Sequence, residues 1–122
     1  MVEILNAKIT KPKIYIEDHG CLTFSFLLEM SDGSACMFGG WCIGTISDFK
    51  ATASGLEAIM HIMDVIGVDC WEDLDNKYCR VKSDGLGSTI HEIGNLMRDE
   101  WFDVAKFFKD YKEAHNNDRQ NV

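Results

Sequence analysis

Ten residues near the start of the chain admit one conformation. Leu22, Phe24, Phe26, Leu28 and Met30 alternate with Cys21, Thr23, Ser25, Leu27 and Glu29. A period of two held over ten residues fits a β-strand with one face in a core. A one-residue slip would turn every phenylalanine to solvent, so the register is strongly specified. Ser31-Asp32-Gly33 supplies a hairpin turn, and the chain returns through residues 34–43. The middle of that return, Phe38-Gly39-Gly40-Trp41, breaks the alternation. Two glycines inside a strand predict a bulge, or a place where something approaches the backbone closely.

The remaining elements follow from the same patterns. Residues 2–9 and 13–17 read as two short extended pieces separated at Pro12, and Asp18-His19-Gly20 reads as a turn. Ser47 or Asp48 can cap a helix whose apolar stripe is Phe49, Ala53, Leu56, Met60 and Met63, with Ile59 and Ile66 beside it and Gly67 as its stop. Gly55 inside that helix costs about 1 kcal/mol relative to alanine, which predicts a close crossing over the sheet. Residues 71–74 read as one short turn, residues 77–83 as a strand, Asp84-Gly85 as a turn and residues 86–93 as the partner strand. Asp99 is placed to cap a final helix with Trp101, Val104, Ala105, Phe108 and Tyr111 on its apolar side. The expected class is α+β: an antiparallel β-sheet or sandwich-like core, one central amphipathic helix and a C-terminal helix. At 122 residues the chain reads as a single domain over residues 1–115, with a polar tail at 116–122 expected to fray.

Charge and cysteine usage narrow the function. Twelve basic and twenty acidic residues give −8, spread along the chain. A nucleic-acid partner is not expected, because a phosphate-backbone binder needs a basic stripe. Five cysteines, at 21, 36, 42, 70 and 79, form no C-x-x-C pair and no zinc spacing. Reduced thiols in a cytoplasmic chain are therefore expected, mostly as small buried hydrophobes. Met1-Val2-Glu3-Ile4 has no basic or apolar leader pattern, so no signal peptide is expected, and no apolar window is long enough for a membrane span. The acidic stretch 64–75 fails the EF-hand pattern and reads as a solvated loop, so neither a metal nor another cofactor is expected. Glu57 and His61, four apart on a helix, and His91 are the residues on which a hydrolase reading would rest. That reading ranks last, since no H-E-x-x-H or nucleophile signature accompanies them.

The candidate binding site centres on the double glycine. Gly39 and Gly40 can let a ligand reach main-chain amides, while Phe38 and Trp41 can stack a base. Lys50 and Thr52 stand at the start of the helix, whose N-terminus favours an anion. Arg80, Asn95 and Arg98 are further candidates for phosphate contact. The loop is neither G-x-G-x-x-G nor a Walker loop. A bulged strand with core aromatics is the competing explanation.

These pieces resemble a known group. Ile16-Glu17-Asp18-His19-Gly20 with Leu22-Thr23-Phe24, Phe38-Gly39-Gly40-Trp41, Ile66-Gly67-Val68 with Trp71-Glu72-Asp73-Leu74, residues 77–81, and Ile93-Gly94-Asn95 with Trp101-Phe102 look like a set of small phage and prophage proteins. The set is similar to the first class of Thoeris anti-defence proteins, non-enzymatic sponges for the cyclic ADP-ribose isomers made by bacterial TIR-domain proteins. The resemblance implies a homo-oligomer, dimeric or higher, that binds a cyclic nucleotide signalling molecule near subunit contacts. The chain departs from such pockets in carrying only three arginines, Arg80, Arg98 and Arg119. An acidic inhibitor of a bacterial defence nuclease, acting on protein in the manner of an anti-CRISPR, is the alternative.

Overall fold

The computed structural model describes residues 2–84 and 89–120, with backbone alone from residue 115. The fold is α+β: the described residues form one eight-stranded antiparallel sheet and two α-helices. In chain order come β1 (Glu3–Ile16), β2 (Cys21–Met30), β3 (Ala35–Gly39), β4 (Gly44–Thr45), β5 (Lys50–Ala51) and α1 (Ala53–Ile66). A single 3₁₀ turn (Trp71–Leu74), β6 (Tyr78–Ser83), β7 (Glu92–Gly94), β8 (Trp101–Asp103) and α2 (Val104–Gln120) follow. The spatial order is β5-β4-β2-β1-β6-β7-β8, and β3 pairs with β2.

The ten-residue alternation is β2. Phe24, Phe26 and Leu28 are fully buried, and cross-strand pairing brings Ile9 opposite Leu28, Phe38 opposite Phe26 and Ala7 opposite Cys79. Val81, Ile93 and Phe102 carry the same face across β6, β7 and β8. Ala58, Ile59, Ile62 and Val65 of α1 close on it to form one cluster with Trp71 and Leu74. Asn6, Lys8, Arg80, Lys82 and Trp101 occupy the opposite face of the sheet.

Four details differ from the sequence reading. Pro12 does not divide two strands: β1 runs through it, and the pairing shifts register between Thr10 and Lys13 with Lys11 at φ +54°. The first helix is capped by Thr52, because Asp48 is spent on Thr45 Oγ1 and the Lys50 N–H in the β4–β5 turn. Its core side is Ser54, Gly55, Ala58, Ile59, Ile62 and Val65, while Leu56 and Met60 point outward. α1 carries two apolar sides beside the polar edge of Glu57, His61 and Asp64, and the sheet takes the side whose small residues permit close approach. Trp101 and Phe102 belong to β8, so α2 starts at Val104; Asp103, not Asp99, caps it by accepting the Lys106 N–H at 3.0 Å. Gly85 and residues 86–88, in the expected second hairpin, lie outside the described residues, as do residues 121–122 of the polar tail. The backbone of α2 is helical through Gln120.

Among the described residues no helix is long and apolar enough to cross a membrane, and no cluster of metal-ligating side chains occurs.

Candidate functional site

The double glycine is a bulge against β2. Gly40 N–H donates to Phe24 O and Ile43 N–H to Leu22 O, each at 2.9 Å. The chain spends residues 40–43 where β2 spends 22–24. Gly39 and Gly40 have φ of +110° and +97°, in the region that side chains avoid. A Cβ on Gly39 would lie 2.9 Å from Ser25 Cα and closer still to Phe24 O, so only glycine fits there.

The bulge leads directly onto the N-terminus of α1. Thr52 N–H donates to Ile43 O at 2.9 Å, and Gly55 N–H donates to Thr52 Oγ1 at 3.2 Å. Ile43 packs against Gly55, where an added Cβ would meet Ile43 Cγ2 at 2.8 Å. The first turn of α1 carries no acidic residue, so its positive end is uncompensated. The bulge also places Cys42 beside Cys21, and the two form a disulfide with Cα atoms 5.4 Å apart. The expectation of wholly reduced thiols is thereby corrected. Sequence spacing could not reveal the pair, since it depends on the bulge; Cys36, Cys70 and Cys79 are free. Glu17 secures the preceding turn, accepting the His19 N–H at 2.7 Å and the Cys21 N–H at 3.0 Å. Those donors, the Cys21 amide first and then the His19 side chain, hold its carboxyl below the usual range.

The nine candidate residues fall into two groups. Phe38 has no exposed surface and stacks on Phe26 at 4.8 Å between ring centroids, so it is a core residue and presents no face to a ligand in the single chain. Trp41 is half-buried, its ring 5.7 Å from that of Phe108 on α2. Gly40 and Lys50 are exposed, and Thr52 caps α1. The second group sits at the other end of that helix. Asn95 Nδ2 donates to Val65 O, satisfying a carbonyl of the last turn, and Asn95 Oδ1 accepts the N–H groups of Met97 and Arg98, all at 2.9 Å. Arg80 donates to Asn95 O and Arg98 O, both at 2.8 Å, and lies over the Trp101 ring at 4.8 Å. Arg98 reaches Glu100 at 3.6 Å. A helix of 14 residues is about 21 Å long. The two groups therefore do not meet around one ligand within a single chain.

Among the described residues, Phe38, Gly39, Gly40 and Trp41 line none of the best-formed concavities. Lys50, Gly44 and Ala51 line a shallow apolar one of about 190 Å³ with Ile16, Leu22, Ile46 and Phe49. Asp69, Glu72, Asp73 and Asp75, with Lys77, line one of about 530 Å³ beside the 3₁₀ turn. Of the residues of the hydrolase reading, Glu57 and His61 line one concavity of about 340 Å³ with Met60 and Asp64; the His61 ring also stacks on Phe102 and meets Phe107, while His91 pairs with Asp103 at 3.6 Å.

Among the described residues, fold and site define a small α+β protein whose antiparallel sheet is backed by two helices, with a glycine bulge that leads through Ile43 to a helix N-terminus. No family profile, curated protein or solved structure matches this chain.

Proposed function

We propose that this is a phage anti-defence protein that sequesters a cyclic nucleotide signal, a cyclic ADP-ribose isomer, in the cytoplasm of a bacterial host without cleaving it. The observation that carries the reading is the short path from the Phe38-Gly39-Gly40-Trp41 bulge, the centre of the sequence resemblance, to Ile43, whose carbonyl accepts the Thr52 N–H at the acid-free N-terminus of α1. The amides of Gly40, Ile43, Thr52 and Gly55 are bonded within the chain, so a phosphate there would rely on the remaining first-turn N–H groups of α1 and on the helix dipole. The half-buried Trp41 ring offers an edge for a base, and Lys50 offers a cation. A useful sponge needs nanomolar affinity, about −12 kcal/mol. A ligand of roughly 35 heavy atoms at ~0.3 kcal/mol per atom gives about −10 kcal/mol. The ligand must therefore be well enclosed, and none of the concavities described above is lined by Phe38, Gly39, Gly40 or Trp41. The reading accordingly requires a homo-oligomer in which a second copy completes the pocket.

Isothermal titration with cyclic ADP-ribose isomers and cyclic oligonucleotides tests this, paired with mass spectrometry of what heat denaturation releases. Stoichiometric heat, intact recovered ligand and about tenfold weaker binding by Lys50→Ala are expected. Titrations without heat, and nothing released, overturn it.

One observation favours a second reading. The exposed acids Asp69, Glu72, Asp73 and Asp75 crowd one side of the 3₁₀ turn with a single lysine among them. Such a surface suits an inhibitor that covers the basic groove of a defence nuclease. A stoichiometric nuclease partner in a pull-down from host lysate, lost on charge reversal of these acids, would establish that reading in place of the first.

A further inference from the structure

We propose that the β4–β5 hairpin is the contact between two copies of this chain, with Phe49 of each copy seated in the apolar hollow of the other. Phe49 is 86% exposed at the tip of the hairpin. Its φ of +54° is rare for a bulky residue, and the turn imposes it: Asp48 bonds Thr45 Oγ1 and the Lys50 N–H. The ring is therefore held out in water by a built turn. Its base forms one wall of the hollow of about 190 Å³, whose other walls include Ile16, Leu22, Gly44, Ile46 and Ala51. Knob and hole thus share one patch, as a twofold, self-complementary contact requires.

The size fits a second copy. Ile14, Ile16 and Ile46 are 44%, 45% and 47% exposed, and with Phe49 they present on the order of 400 Å² of apolar surface. A standard interface covers roughly 800 Å² per partner, a little over half of it apolar. The patch supplies most of the apolar part. Asp48 and Lys50 at its margin carry opposite charges that can meet their counterparts across a twofold axis. Biologically, this contact supplies the subunit pairing that the proposed function calls for and rests on that reading. The contact itself rests on the patch.

Sedimentation equilibrium and light scattering on the full chain, without any nucleotide, test the contact apart from ligand binding. The expected species has twice the 13.8 kDa chain mass. Phe49→Asp should weaken pairing about thirtyfold or more, as loss of a central aromatic anchor does. Phe49→Asn, which tolerates the left-handed backbone, should do the same with an unchanged far-ultraviolet spectrum. Met97→Asp, at an equally exposed residue elsewhere, should leave pairing intact. A wild-type chain that stays monomeric, assembles without limit, or pairs as tightly after Phe49→Asp overturns the proposal. If pairing holds while titration shows no nucleotide, the functional reading fails and the contact stands.

Discussion

Ile43 lies so close to Gly55 that a single added methyl would drive into it, 2.8 Å from Ile43 Cγ2 and nearer still to Cβ. Helix propensity alone would make Gly55→Ala stabilising by about 1 kcal/mol. Overpacking at a rigid β-branched neighbour opposes it with about 1–3 kcal/mol. The Cβ of Ile43 has no room to swing aside, so a net loss of about 1–2 kcal/mol is expected in urea unfolding. Ile43→Ala alone should also destabilise, by opening a cavity. The double variant should lose less than the sum of the two, because the methyl then fills the space. Additive losses would mean that the two residues do not touch.

Much of this arrangement is legible in the sequence, for local reasons. The β2 alternation, the Ser31-Asp32-Gly33 turn and Gly67 as helix stop are each set by neighbours in the chain, and all three stand: Gly67 has φ +92° and donates to Met63 O. The close crossing at Gly55 is also readable, since a helix interior does not otherwise favour glycine. What is not legible depends on partners far along the chain. α1 carries two apolar sides, and only the sheet decides that Ala58 and Ile62 go in while Leu56 and Met60 stay out. The separation of Arg80, Asn95 and Arg98 from the glycine bulge follows from the length of α1, which residue types do not convey. The Cys21–Cys42 pairing likewise needs the bulge to be built first.

The bulge itself should tolerate no side chain at Gly39. Gly39→Ala combines a left-handed φ of +110° with a backbone collision at Ser25 Cα and Phe24 O. A loss of about 3 kcal/mol or more is expected, since main-chain atoms cannot swing aside. Gly33→Ala has a similar φ of +90° but open space, and should cost about 1–2 kcal/mol. Chemical denaturation of both variants gives the comparison; equal losses would show that the bulge is loosely packed.

The disulfide should be a substantial fraction of stability. Cys21 and Cys42 are 21 residues apart, and closing a loop of that size removes about 3 kcal/mol of denatured-state entropy. Adding a reductant, or making Cys21→Ser with Cys42→Ser, should lower the denaturation midpoint and steepen the slope, because the uncrosslinked denatured chain exposes more surface. An unchanged midpoint in reductant would mean that the bulge is held by its backbone bonds alone.

Two of the free thiols, Cys79 and Cys70, should separate by rate of alkylation. Cys79 has no exposed surface, and burial pushes its thiol up to about 12, so it should stay unmodified until the chain unfolds. Cys70 is exposed, but its thiol donates to Glu72 Oε2 at 2.8 Å, and that bond raises its pKa. Glu72→Gln removes the acceptor charge, so the thiolate fraction at mildly alkaline pH should rise and alkylation of Cys70 should quicken several-fold. Mass spectrometry of tryptic peptides reads both sites; faster labelling of Cys79 than of Cys70 in the native chain would contradict this burial pattern.

Acid should act through Glu17. Its carboxylate accepts the Cys21 and His19 amides and the His19 ring, and its folded pKa is depressed below 4.5. A depressed carboxylate stabilises the fold above its unfolded pKa, and that contribution disappears as pH falls through the folded value. Wild-type stability should therefore decline as pH drops below about 4.5, with part of the decline missing in Glu17→Gln. The variant should already be weaker at neutral pH, where the wild-type carboxylate is ionised. Thermal melts across the acid range check both expectations. Parallel curves for the two chains would mean that the turn at residues 17–21 is held without help from this charge.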